Sequence, residues 1–364
     1  TQLQFSRHFV LNDVHVFSPN LINEFRFGFT RSNGSRIGQG QESAPFARLT
    51  GITMFPFPVQ SFPSMTFSRT GQISGQILYT GFGGGASNLN FENLFQWVDN
   101  LTLIRGNHAI RVGGDVRRHR LDQLSGGFGE YIFGSIFSSS SNDAASGDPW
   151  ADFLMGFPAL RNPGVRMLEW GRLRTLYAGG YVQDDWRITR KFTFNIGLRY
   201  ELYTQPVDAR DRGGLYNLDK QIFVVPGKDG YSRAIVKGDH NNWGPRVGFA
   251  YQVTPKFVVR SAYGIFYGMR DQNDQTTNFY GNIPNVATMV NPTITASGTI
   301  APPVTMNSPI TLSVIDPLLT EFSAARPAAF TIQTVDFGNV PYPYVQQWNT
   351  TIQYALGRAW LFEA

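Results

Sequence analysis

The segment from Gly179 to Tyr203, GGYVQDDWRITRKFTFNIGLRYELY, constrains the fold more than any other. It reads as two long amphipathic strands joined by a short polar turn. Phe192, Phe194, Ile196, Leu198 and Tyr200 fall on one side, and Thr193, Asn195, Gly197, Arg199 and Glu201 on the other. A period of two sustained over this length describes a strand with one apolar and one polar face. A soluble sheet can show the same alternation, so the recurrence of the unit carries the argument.

The unit recurs along the chain. HFVLNDVHVFSPNLINEFRFGFTRS turns at Ser18 to Leu21 and sets Phe25, Phe27 and Phe29 against Glu24, Arg26 and Gly28. FQWVDNLTLIRGNHAIRVGGDVRRHR turns at Arg105 to His108, with Ile110, Val112 and Val116 opposite Arg111, Gly113, Asp115 and Arg117. WGPRVGFAYQVTPKFVVRSAYGIFY turns at Thr254 to Lys256, and PYVQQWNTTIQYALGRAWLFEA begins a fifth pair. Roughly ten strands result, each expected near the ~9–11 residues that cross a bilayer at a tilt. Short turns lie inside the pairs, and long connections, residues 33 to 92, 121 to 171, 205 to 242 and 269 to 343, lie between them. Short turns on one side and long loops on the other are the pattern of an outer-membrane barrel. The expected fold is all-β: part of a transmembrane antiparallel β-barrel, an up-and-down meander with long extracellular loops. Neither a helical domain nor a parallel sheet is expected between Ile22 and Tyr267. The Pro-, Gly- and Ser-rich loops, with SIFSSSSND at 135 to 143, are expected to fold on one another only weakly.

Composition narrows the alternatives. With 42% hydrophobic residues and a mean hydropathy of −0.20, no segment approaches the ~18 uninterrupted apolar residues of a membrane helix. A membrane crossing would use strands. Aromatics at 14% and 38 Gly suit interfacial girdles and crowded inward positions. The absence of Cys excludes disulfides, Cys-ligated zinc and thiol catalysis. A net charge of +5 is scattered through strands and turns with no basic run, so nucleic acid is not an expected partner. No linker divides the chain, and residues 1–364 read as part of one barrel domain. The chain opens without Met or an export signal and ends inside a strand, so the expectation is a piece of a larger precursor.

No enzyme is expected, and no catalytic, cofactor-binding or metal-binding residues are assigned. His8, His15, His108, His119 and His240 are dispersed without ligand spacing. Asp184 and Asp185 are adjacent, so on a strand they point to opposite faces and cannot share one substrate. FGGGAS at 82 to 87 lacks the Gly-Lys-Ser/Thr ending of a phosphate loop. Trp186 and Trp348 read as interface anchors.

The constellation with most content is a set of charges on the polar faces: Glu24, Arg26, Arg111, Asp115, Arg117, Arg199, Glu201 and Arg246. An Arg facing lipid at midplane costs ~2–4 kcal/mol, so these are expected to line the lumen. They read either as a hydrated ladder of cross-strand ion pairs or as a wall against which another domain docks or a solute passes.

Taken together, INEFRFGFTRS at 22 to 32, ADFLMGFP at 151 to 158, YVQDDW at 181 to 186, FNIGLRYE at 194 to 201, NWGPRVGFAY at 242 to 251 and YVQQWN at 344 to 349 resemble the barrel of Oar-like TonB-dependent outer-membrane receptors. The resemblance implies a cell outer-membrane location in a Gram-negative-type bacterium and a barrel of about 22 strands. It also implies a plug domain from the same precursor, outside this chain like the closing C-terminal strands. The partners would be outer-membrane lipid, the plug, the TonB complex and an unknown large solute: a glycan, a peptide, a siderophore-like molecule or a protein. The loop after Tyr267, with Arg270, Asp271, Asn273, Asp274, Asn278 and Tyr280, is the expected place of solute contact. A passive channel or structural barrel and a secreted carbohydrate-binding β-protein are the alternative readings.

Overall fold

The computed structural model describes residues 2–36, 64–68, 78–82, 87–126, 130–134, 137–140, 146–162, 170–220, 222–268, 287–289, 305–307, 312–314, 341–356 and 360–364. Ten strands form one antiparallel meander in sequence order. They are β1 (Gln2–Ser18), β2 (Leu21–Arg36), β5 (Ser87–Arg105), β6 (His108–Gly126), β9 (Gly171–Arg187), β10 (Phe192–Tyr203), β14 (Trp243–Thr254), β15 (Phe257–Tyr267), β18 (Tyr344–Leu356) and β19 (Trp360–Glu363). Between them lie β3 (Ser64–Ser68), β4 (Leu78–Phe82), β7 (Glu130–Phe133), β8 (Leu160–Asn162), β11 (Val207–Asp208), β12 (Leu215–Asn217), β13 (Ile222–Val224), β16 (Ala287–Met289) and β17 (Leu312–Val314).

The hairpin turns fall where the alternation breaks. Gly106 has φ +59°, the positive φ that a two-residue hairpin turn needs at its first central position. All the short turns lie at one end of the sheet, and the long connections lie at the other.

Register sorts the side chains into two faces. One row across neighbouring strands pairs Phe194 with Trp186 and with Phe249, and further rows pair Phe192 with Tyr251 and Phe257 with Tyr354. Toward the loop end, Tyr200 packs on Trp243 with ring centroids 4.6 Å apart, and Tyr267 faces Tyr344 at 6.0 Å. Phe192 and Tyr200 are separated by about 26 Å of strand at ~3.3 Å per residue. A tilt of ~40° shortens that to roughly 20 Å, the scale of an apolar band ~25 Å tall between two aromatic girdles. Within the band Ile196 is 52% exposed, Val182 47% and Leu198 41%. Large aliphatic side chains presented outward in an ordered array suit a lipid solvent. Asp13 and Asp99 interrupt it, flanking Phe25 in one row, and Asn23 Nδ2 donates to Asp99 Oδ1 at 2.7 Å.

Strand length departs from expectation. β5 and β6 have 19 residues each, and β1 and β9 have 17. The expected loops 33 to 92 and 121 to 171 are correspondingly shorter, because paired backbones go on exchanging hydrogen bonds after the apolar alternation has faded. Only β10, β14 and β15, with 12, 12 and 11 residues, approach the expected length.

The loops also fold together more strongly than expected, and one pairing is parallel. β3 runs parallel to β7 in a four-stranded sheet of order β4-β3-β7-β8. Met65, Phe67, Tyr131 and Phe133 are fully buried there. A short helix, α1 (Pro149–Met155), packs on this sheet with Trp150 stacked on Phe67 at 4.1 Å. Its Asp152, fully buried, accepts from the backbone N–H groups of Phe137 at 3.1 Å and Ser138 at 2.7 Å, which satisfies the carboxylate. ADFLMGFP is therefore a helix and its left-handed cap, Gly156 having φ +77°. A second cluster joins Leu124 and Leu173 to Leu215, Val224 and Ile235 of the β10–β14 connection. That connection is held by Asp208, whose carboxylate accepts from the backbone N–H groups of Arg172, Arg210 and Arg212.

Candidate functional site: the polar face of the sheet

Register places all eight charges proposed for the lumen on the face opposite the aromatic one. The row Glu24–Asn100–Gly113–Tyr181–Arg199 crosses five strands. The rows Asp115–Gly179–Glu201 and Arg111–Gln183–Gly197–Arg246 run alongside it.

Four of the eight meet in one network. Arg199 Nε donates to Glu201 Oε1 at 2.5 Å. Arg199 also donates to the hydroxyl of Tyr177, which donates to Glu201 Oε1 at 3.4 Å. Tyr203 donates to the other carboxylate oxygen at 2.9 Å. Arg117 pairs with Asp115 and stacks over the Tyr177 ring at 5.0 Å. Asp115 also accepts from Gln96 Nε2 at 3.2 Å. Arg199 and Glu201 side chains are 18% and 12% exposed, so the pair is largely withdrawn from water and gains from its extra hydrogen bonds. The tyrosines carry the network toward the loops. Tyr342 packs on Tyr203 at 4.8 Å, donates to the Tyr203 carbonyl at 3.2 Å, and its own N–H donates to Asp239 Oδ2 at 3.1 Å.

Glycines make the network possible. At Gly179 an added Cβ would lie 2.6 Å from the Tyr177 hydroxyl and 2.8 Å from Arg199. The groove over a side-chain-free position lets long polar side chains lie flat on the sheet.

The remaining four charges stand apart. Arg111 pairs with Asp185 at 3.4 Å. Arg246 lies over the Phe266 ring at 4.7 Å. Arg26 reaches Asn12 at 3.5 Å. Neither Arg26 nor Glu24 has an ion-pair partner among the described residues. The wall is thus one hub with separate outliers, where a continuous ladder was one expectation. Asp184, on the opposite face, meets His108 at 2.6 Å beside the hairpin turn. Arg270, Asp271, Asn273, Asp274, Asn278 and Tyr280 lie outside the described residues.

Sequence reasoning missed Tyr177, Tyr203, Gln96 and Arg260. Tyr203 shares parity with Arg199 and Glu201, and extending the polar face by one step would have found it. Tyr342 carries no such signal. Arg260 and Arg246 border a cavity of about 980 Å³ floored by Gly197, Gly248, Ala262 and Gly264. Small side chains leave that stretch of wall low, and its two guanidinium groups outnumber the one carboxylate on its border, Glu363.

Among solved structures, the chain is similar to the copper transporter OprC, at 10% identity over 74% of this chain and 32% of that one, with a TM-score of 0.41. It is also similar to the siderophore receptor PiuA from Acinetobacter baumannii, at 12% identity over 97% and 38%, with a TM-score of 0.39. A third is the pyoverdine outer membrane receptor FpvA from Pseudomonas aeruginosa PAO1, at 11% identity over 74% and 30%, with a TM-score of 0.37. The chain spans about a third of the length of these structures. No curated protein matches. The model of one protein family, described as an outer membrane beta barrel domain, matches residues 1–364. With its ten-strand meander, its aromatic girdles and that match over the whole length, the chain belongs to the outer membrane beta barrel domain family and resides in the outer membrane.

Proposed function

We propose that this chain is part of the wall of an Oar-like TonB-dependent transporter, moving a large solute across the outer membrane. The observation that carries the reading is the low, basic stretch of polar face around Arg246 and Arg260, bordering a cavity of about 980 Å³. Side chains fill a narrow barrel by themselves, whereas a wide one encloses a lumen that is water-filled or, in the largest transporters, plugged. A wall floored by Gly and Ala leaves room for an occupant, and a plug domain of the same precursor fits it. The Arg199–Glu201 hub then works as a rigid neighbour of that contact. Solute capture falls to the long connections, in particular Arg270, Asp271, Asn273, Asp274 and Tyr280, whose side chains offer donors, acceptors and an aromatic face to a polar polymer, peptide or chelate. TonB would supply the energy through the plug.

The test uses the full-length receptor in cells. Uptake or release of the solute is expected to vanish when TonB is deleted. It is also expected to vanish when residues 269–343 are replaced by a short Gly/Ser link. Arg246→Glu with Arg260→Glu is expected to reduce transport and to raise passive leakage of large antibiotics, while heat-modifiable gel migration still reports an assembled barrel. Normal transport without TonB would favour a passive channel. Normal transport and normal permeability in the assembled double variant would remove this wall from the mechanism.

A further inference from the structure

On the aromatic face, beyond the apolar band, register aligns arginines that the strands carry separately. Arg7 is the cross-strand partner of Arg31. Arg31 faces Asn93, Asn93 faces Arg120, and Arg120 faces Arg174. Arg118 and Arg172 lie on the same face of β6 and β9, one alternate position away on either side of that row. Six guanidinium groups thus occupy one arc of five adjacent strands.

Their height is uniform. Arg7, Arg31, Arg120 and Arg174 each stand roughly ten to thirteen residues from the short turn of their own hairpin, or ~33–43 Å of strand. After tilt, that is just past a band ~25 Å tall. One step toward the turns, Phe9, Phe29 and Phe95 form the adjacent row, with Phe29 and Phe95 4.9 Å apart. Arg120 leans over the Phe95 ring at 5.3 Å. Elsewhere on this face the loop-side aromatic rows are Tyr200 with Trp243 and Tyr267 with Tyr344. Tyr200 pairs with Gly180, six residues nearer the turn than Arg174, so the arginines stand beyond that row.

The arc is poorly neutralised. Among the described residues Asp122 is the one acidic side chain within the arc, Asp13 and Asp99 lying on the same face six residues nearer the turns, and Asp122 already binds Arg174 at 2.7 Å. Arg31 and Arg118 are exposed and have no ion-pair partner among the described residues. Nε of Arg120 is buried without a hydrogen-bond partner. Like charges set directly opposite across strands are destabilising, and here two such pairs, Arg7 with Arg31 and Arg120 with Arg174, lie on one face. An anion between them would reverse the sign, and guanidinium binds phosphate through paired donors.

We infer that this arc binds the phosphorylated headgroup of an anionic outer-leaflet lipid, its phosphates on the arginines and its acyl chains on the phenylalanine row. The binding holds the lipid to one side of the barrel and is independent of transport.

The experiment uses full-length receptor in detergent and two lipids of equal acylation: diphosphoryl lipid A and its dephosphorylated form. The receptor is expected to bind the phosphorylated lipid more tightly. Arg31→Gln with Arg120→Gln is expected to weaken that binding about ten-fold or more and to leave the dephosphorylated lipid unaffected. Arg31→Lys with Arg120→Lys is expected to stay within about three-fold, since the charge is kept. Inorganic phosphate at the same concentration is expected not to displace the lipid, because it lacks the acyl half of the contact. Equal binding of the two lipids, undiminished binding by the Gln pair, or displacement by inorganic phosphate would each overturn the inference. Should the Gln pair not migrate as an assembled barrel, Arg7→Gln with Arg118→Gln, at exposed positions, provides the same reading.

Discussion

The ring of Tyr181 lies so close across Gly113 that a Cβ at Gly113 would sit 2.7 Å from Tyr181 Cε1 and 2.8 Å from the backbone oxygen of Asp99. The contact fixes the Tyr181 hydroxyl where it donates to Asn100 Oδ1 at 2.7 Å, and it ties β5, β6 and β9 together on the polar face. Gly113→Val therefore has no room. It is expected to cost ~1–3 kcal/mol as overpacking and to lower the assembled fraction in heat-modifiable gels. Gly114→Ala, one residue on and facing the other way with its nearest neighbour at 3.5 Å, is expected to assemble normally. Equal tolerance at both positions would show that the close approach is not structural.

The two faces of β10 give a second test. Leu198 lies on the aromatic face and is 41% exposed, while Asn195 lies on the polar face beside Asp185. In the full-length protein Leu198→Arg is expected to impair outer-membrane assembly by ~2–4 kcal/mol near the midplane. Asn195→Arg places a cation next to a carboxylate and is expected to be far milder. Outer-membrane yield of the folded form measures both.

The hub predicts non-additivity. Glu201→Leu strands Arg199 and leaves the hydroxyls of Tyr177 and Tyr203 short of an acceptor, an expected loss of ~1–3 kcal/mol. Arg199→Leu combined with Glu201→Leu is expected to cost less than the sum of the single changes, because no unpaired charge is left behind. Denaturant unfolding from detergent or lipid reads the cycle, and strict additivity would count against the pair acting as a unit.

The loop sheet is expected to behave as a separate packing unit. Phe67 is fully buried between Phe133 and Trp150, and Phe67→Ala is expected to cost ~3–5 kcal/mol of local stability. Faster proteolysis of the loops with unchanged barrel migration is the expected outcome. Loss of the barrel band would show that this sheet is needed for assembly.

Much of the barrel was legible in the residues alone, because the signals are local. A strand shows its two faces through alternate positions of its own sequence, so Phe192 to Tyr200 and Arg199 with Glu201 sorted correctly. Turn chemistry at Arg105 to His108 and Thr254 to Lys256 is equally local. Antiparallel order then follows from short turns.

Tertiary structure decided what depends on neighbours distant in sequence. Strand length was hidden because the ladder from β5 to β6 outruns the apolar alternation. The parallel pairing of Ser64–Phe67 with Glu130–Phe133, and the docking of Tyr342 on Tyr203, join segments whose contact no periodicity announces. The arginine arc shows the same division. Each of Arg7, Arg31, Arg120 and Arg174 is set on its face by the parity of its own strand. Only the register of five strands brings them into one line, because the hydrogen-bond ladder between chains, not the alternation within one, determines which residues become neighbours.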